Sequence, residues 1–486
     1  MLTQPDKLEK KLKARHITMI ALGGSIGTGL FFSSGNAIYV AGPGGTLLSY
    51  LVIAIMVYFI MTSLAEMAAI IPVSGTFCQY VTSFVDPAWG FALSYIYWLS
   101  WAITLAVEIS AASFIMGFWF PHVNFLIWST IIFFGILIMN LFSVKVYGEA
   151  EYWLSLLKIT AIFLFIIIGF LITFGVIGDT FYGFKNWTGP GVAFHGGAIS
   201  LLAIFLTVSF SFQGTELFGV VAGETKDPKH SIPQATKSIF WRISICYIVS
   251  LFVISCIIPY NDPVLVHGGS DAATSPFTIV LAKAGIKDAA NVMNAIILIA
   301  ILSAANASLY SAARILWSTG TNRYGLKSFL KTNRHGTPIV TVILTALIGS
   351  LVFISKFAGT GNAFMWLLDL SSTTGLLAWL GIAVSHYQFR KIIKKRNYDL
   401  KKLPFISRWF PVSDIFSILL LVIIIILQPI TLLFSHQHEL WRDIISIYSG
   451  IVLAVLMWFI YRLINKTRYV DPAQCPIDFF EKFKEK

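Results

Sequence analysis

The chain has 486 residues, of which 57% are hydrophobic and only 12% charged, about half the charged fraction of an ordinary soluble domain (about 25%). That composition excludes a soluble globular protein, and the four cysteines suggest neither a disulfide framework nor a metal cluster. The formal net charge is +12, but Lys and Arg fall in alternate loops rather than along one stripe, which is what membrane orientation requires and nucleic-acid binding does not.

Taken in order, residues 1–16 are a polar, basic segment, and the apolar run that follows is too long for a cleaved secretory signal. A helical crossing needs about 20 apolar residues. Runs of that kind lie at 17–40, 44–70, 88–119, 124–146, 152–177, 198–223, 241–259, 288–318, 338–355, 361–388, 413–435 and 442–463, which predicts an all-α polytopic membrane protein of twelve spans. Ala41-Gly42-Pro43-Gly44-Gly45 reads as a tight turn, Asp227-Pro228 and Ile232-Pro233 as stops for the sixth helix, and Gly336-Thr337-Pro338 as the start of the ninth. Segment 71–86 contains neither Lys nor Arg and reads as a cytoplasmic elbow between spans 2 and 3 in preference to a partly buried gate. Lys and Arg concentrate in the N-terminal segment, near 226–237, 323–334 and 390–396, and in the tail, so both termini are expected in the cytoplasm of a cell bounded by this inner or plasma membrane.

Two spans are interrupted. The first carries Gly23-Gly24-Ser25-Ile26-Gly27-Thr28-Gly29 and the sixth carries Ser211-Phe212-Gln213-Gly214-Thr215-Glu216. An opened helix inside a bilayer exposes backbone groups that lipid cannot satisfy, so such breaks persist where they line a cavity or bind something. Each break heads a block of five spans, 17–177 and 198–388. Five is odd, so the blocks enter from opposite sides as an inverted pair, the arrangement of a secondary transporter with its substrate at the midplane. Spans 11 and 12 (412–464) and the tail 465–486 lie outside the repeat.

The N–H groups around Gly27, Thr28 and Gly29 suit an anion, and the carbonyls of Ser25, Phe212 and Gln213 lack helical partners and suit an ammonium group. A site with donors on one side and carbonyls on the other fits the carboxylate and amine of a free amino acid. Glu216 closes the second break within an apolar helix, and intramembrane acids commonly mark proton pathways; its bland role is to bond the broken backbone. Lys158 in span 5 either snorkels to the interface or reaches the carbonyls of the first break. Glu108 in span 3 shares a helical face with Tyr97 and Trp101, where the aromatics can cover a substrate and the acid can meet a cationic side chain; a plain core face is the alternative. Ser303 and Asn306 in span 8, and Ser371, Ser372, Thr373 and Thr374 in span 10, are polar candidates that otherwise join helices.

With Arg15-His16-Ile17-Thr18-Met19-Ile20-Ala21-Leu22 leading into the first break, Pro72-Val73-Ser74-Gly75, Gly148-Glu149-Ala150-Glu151-Tyr152-Trp153, and Ser209-Phe210 leading into the second, the chain resembles the amino acid transporter branch of the amino acid–polyamine–organocation superfamily, and most closely its bacterial lysine-specific permeases. The resemblance runs over essentially the whole chain. It implies that the substrate carboxylate meets Gly27, Thr28 and Gly29, that its amine meets the carbonyls of Ser25, Phe212 and Gln213, that Phe210 is an aromatic gate, and that Lys158 lies beside the broken first helix. The expectation is therefore import of lysine or another basic amino acid by proton symport. No cofactor beyond the proton gradient, no metal, no nucleic acid and no enzymatic constellation is expected. The rivals are a broad-range or neutral exchanger and an amino acid sensor on a transporter scaffold.

Overall fold

The computed structural model describes residues 14–472 apart from 73–76, 142–143, 179, 221, 223–226, 266–274, 284, 286, 322–323, 334–335 and 435–439. Among them every regular element is a helix. Span 1 consists of Ala14–Ser25, Thr28–Phe31 and the start of Ser34–Ile70. That last helix turns into span 2 at Gly42 (φ 72, ψ 172) and Pro43. Gly42 holds a backbone angle disfavoured for other residues, and a Cβ there would collide with the Val192 carbonyl, so the expected glycine-rich turn is present.

The remaining spans are Pro87–Trp119 (3), Phe125–Asn140 (4), Val144–Thr173 (5), Gly197–Phe212 with Leu217–Val220 (6), Pro228–Ile257 (7), Lys287–Thr321 (8), Ile339–Gly349 continued to Ala358 (9), Thr360–Lys395 (10), Val412–Phe434 (11) and Leu440–Asn465 (12). Nine helices among the described residues are long and apolar enough to cross a bilayer, and Phe125–Asn140 and Gly197–Phe212 are shorter apolar helices. With the broken first span they account for the twelve crossings, the breaks heading the two five-span blocks.

Local sequence explains several ends. Asp86 caps span 3 by accepting from the Ala88 N–H, with Pro87 at the first helical position, and Asn124 caps span 4 through the Leu126 N–H at 2.8 Å; such caps contribute about 1 kcal/mol each. Pro228 behaves otherwise than the sequence suggested. It opens span 7, some dozen residues before the expected start at 241, and Pro233 lies within that helix. A proline at the first helical position loses no bond, because that N–H has no partner anyway.

Span 3 is the axis of the bundle: 89% of its apolar window is buried, against 22% for span 12. It packs against spans 8, 10 and 12. Side-chain bonds join these helices, with Ser100 Oγ donating to the Ser371 carbonyl at 3.0 Å and the Thr104 and Ser371 hydroxyls 2.6 Å apart. Asn140 donates to Asn306 Oδ1 at 2.6 Å across spans 4 and 8. The segment after span 2 packs inward rather than riding outside as an elbow. Its short helix Cys78–Phe84 buries Cys78, Tyr80, Val81 and Phe84, Tyr80 bonds the Ile71 carbonyl at 2.6 Å, and residues 71–85 carry no charge that would hold them in water. Val73, Ser74 and Gly75 lie outside the described residues, as do the N-terminal segment to residue 13 and the tail from residue 473.

A second buried polar cluster ties spans 2, 10 and 11. Arg390 Nε lies 2.7 Å from Glu66 Oε1, His386 Nδ1 lies 2.8 Å from Asp414 Oδ2, and His386 Nε2 lies 3.3 Å from Glu66 Oε2. Ser63 donates to the other Asp414 oxygen at 2.9 Å.

Candidate functional site

The two breaks meet. In span 1 the helix stops at Ser25 and resumes at Thr28, and in span 6 it stops at Phe212, turns through Gln213–Glu216 and resumes at Leu217. Gly214 carries a φ of +98°, and a Cβ on it would lie 2.7 Å from the carbonyl carbon and oxygen of Gly24. Only glycine lets the two broken backbones come this close. Tyr247 of span 7 bridges them: its hydroxyl lies 2.8 Å from the Ser25 carbonyl and 2.9 Å from the Ser211 carbonyl. The Phe212 carbonyl accepts from Thr215 Oγ1 at 2.9 Å. The carbonyls that the sequence left without helical partners have thus acquired side-chain ones at Ser25 and Phe212.

Each ionisable candidate is placed on a break. Lys158 is fully buried and does not snorkel: its Nζ donates to the Gly23 carbonyl at 2.7 Å. Glu151, two turns earlier on the same face of span 5, lies 3.9 Å from that Nζ and accepts from Ser303 Oγ of span 8 at 2.7 Å. Spans 1, 5 and 8 are joined there. Glu216 accepts from Tyr97 Oη at 3.0 Å, Trp379 Nε1 at 3.2 Å and the Gly214 N–H at 3.1 Å, so its carboxylate holds the second break to spans 3 and 10. Glu108 lies at the first break. It accepts from the Thr28 hydroxyl at 2.7 Å, and both of its oxygens lie 3.3 Å from the Thr28 N.

Between the breaks is a cavity of about 10 Å³, room for about one water molecule. Gly24, Ser25, Gly27, Gly29, Trp101, Thr104, Glu108, Phe210 and Gln213 line it. Seven of the residues singled out from the sequence are therefore together in one wall. Five others are not in it, Glu216 among them because it holds the second break to spans 3 and 10. Tyr97 is spent on Glu216 and stacks edge-on with Trp101; Phe212 packs on Tyr50 and Tyr247; Thr28 is bonded to Glu108; and Lys158 serves span 1 from behind. Outside the wall, Phe32, Phe114 and Phe364 are in mutual contact, and Phe77 lies on Tyr97 with ring centres 4.7 Å apart. Sequence reasoning missed Tyr247, Glu151, Trp379 and Thr104. Only Glu151 left a signal, its spacing of seven residues from Lys158.

The amino acid permease family model matches residues 16–472. The chain belongs to the amino acid permease family. The permease is 44% identical over 470 residues to the lysine-specific permease LysP of Escherichia coli (strain K12), covering 96% of each chain. It is also 44% identical over 474 residues to LysP of Lactococcus lactis subsp. cremoris (strain MG1363), covering 96% of this chain and 92% of that one. Histidine permease HisP of the same strain is 44% identical over 466 residues, with 96% and 97% covered. Among solved structures, the permease superposes on the Eremococcus coleocola manganese transporter with a TM-score of 0.57 over 97% of this chain and 95% of that one; at 12% identity this shows a common fold and nothing about cargo.

Proposed function

We propose that this permease imports lysine or another basic amino acid by proton symport with alternating access. The observation that carries the substrate reading is Glu108, a buried acid in the wall of the cavity between the two breaks, where a substrate's cationic side chain finds an anionic partner. The lysine-specific relatives support the same choice. A cavity of about 10 Å³ cannot hold a lysine, so a substrate enters by moving Phe210, Trp101 or the aromatic cluster at Phe32, and the state described is a closed one. Lysine, histidine and neutral amino acids are distinguished by uptake of a labelled panel into liposomes containing the purified protein. Lysine uptake suppressed far better by unlabelled lysine or arginine than by leucine or glutamate is the expected result; equal suppression by leucine contradicts it.

For coupling, Lys158 is the stronger carrier. Its ammonium holds a carbonyl of the broken first helix, so losing the proton removes a charged hydrogen bond, on the order of 1.5–3 kcal/mol, and frees that half of span 1 to move. Glu216 is engaged by three donors that fix the second break, which supports a holding role beside any part in proton transfer. The Lys and Arg asymmetry of the loops supports an orientation with both termini in the cytoplasm, in the inner or plasma membrane.

A further inference from the structure

Of the donors expected to receive a substrate's carboxylate, those of Thr28 are already occupied by a group of this chain. Glu108 takes the Thr28 hydroxyl at 2.7 Å and both of its oxygens face the Thr28 N at 3.3 Å. The side chain is 3% exposed and lines the cavity. Trp101, also 3% exposed, lies in the same wall. Two carboxylates cannot share Thr28, because like charges at such a distance in a buried site repel strongly.

We propose that Glu108 is a built-in stand-in for the substrate carboxylate: it holds the Thr28 donors in the empty site, is displaced from them by an incoming α-carboxylate, and then pairs with the substrate's side-chain cation. The inference rests on the reading of the protein as a basic amino acid permease and explains how that site selects. A displaced Glu108 is a buried anion that has lost its donors, which is costly unless a new partner arrives. Lysine brings that partner. A neutral amino acid brings the carboxylate that evicts Glu108 and nothing to pair with it, so rejection arises from the penalty on the wrong ligand as much as from attraction to the right one. The Trp101 N–H offers a further donor in the same wall for one of the two carboxylates.

The test is competition against labelled lysine on purified, reconstituted protein, using lysine, lysinamide, the neutral analogue norleucine and acetate. In the unmutated protein lysinamide, which has no carboxylate to evict Glu108, and norleucine are each expected to compete at least tenfold more weakly than lysine, and acetate not at all. In Glu108→Gln, lysine weakens at least tenfold while norleucine strengthens at least tenfold. In Glu108→Ala, acetate at millimolar concentration competes, because the Thr28 donors are vacant. Lysinamide matching lysine in the unmutated protein overturns the proposal without reference to any variant. Norleucine and acetate behaving in both variants as they do in the unmutated protein, with lysine binding weakened, also overturns it and leaves Glu108 a simple side-chain partner. If the unmutated protein binds no basic amino acid, the underlying reading fails and takes this one with it.

Discussion

Tyr247 joins both broken helices through one hydroxyl, and it is the residue whose role was least legible in advance. A lone tyrosine in an apolar span carries no periodic or compositional signal; its importance comes from which carbonyls the fold brings to it. Glu151 was legible in principle, since seven residues separate it from Lys158 on one helix face. Glu108, Glu216 and Lys158 were found because intramembrane charge is expensive and therefore conspicuous. The sequence could say that each needs a partner, not which one. Tyr247→Phe leaves two buried carbonyls without their shared donor, a loss of about 1–3 kcal/mol. A lower melting temperature of the purified protein together with slower lysine uptake is expected. Unchanged values for both would show that the breaks do not depend on this bridge.

At the scale of elements, the spans were readable because a bilayer imposes a length and forbids unsatisfied backbone. The two breaks stood out for the same reason. The start of span 7 was misread because a proline serves equally as a helix stop and as a first helical residue, and only the packing of residues 228–240 decides between them. Neither could the sequence show that Glu66, His386, Arg390 and Asp414, scattered over three spans, form one buried cluster. Removing one member of a buried charge pair costs about 3–5 kcal/mol, since the other charge is stranded. Glu66→Gln should therefore destabilise the protein far more than Lys356→Gln at the exposed side of span 9, as read by thermal unfolding in detergent. Equal stability of the two variants would mean that the cluster contributes nothing to holding spans 2, 10 and 11 together.

For the whole molecule, orientation and coupling determine what the permease delivers to the cell. A single cysteine replacing Lys394, beyond the end of the tenth crossing, should resist an impermeant thiol reagent in intact cells and react after permeabilisation; reaction in intact cells would invert the topology. Voltage complicates coupling, because a cation entering a negative interior already gains about 2.3 kcal/mol per 100 mV. Lysine accumulation alone is thus no evidence of proton symport. The most direct measurement is lysine uptake into liposomes clamped at zero potential, with and without an inward proton gradient, for the unmutated protein, Lys158→Met and Glu216→Gln. The gradient should accelerate uptake by the unmutated protein, and Lys158→Met should lose that response while still exchanging lysine. If Glu216→Gln alone loses it, the proton is carried at the second break; no response in the unmutated protein would contradict proton-coupled import and leave uniport or exchange.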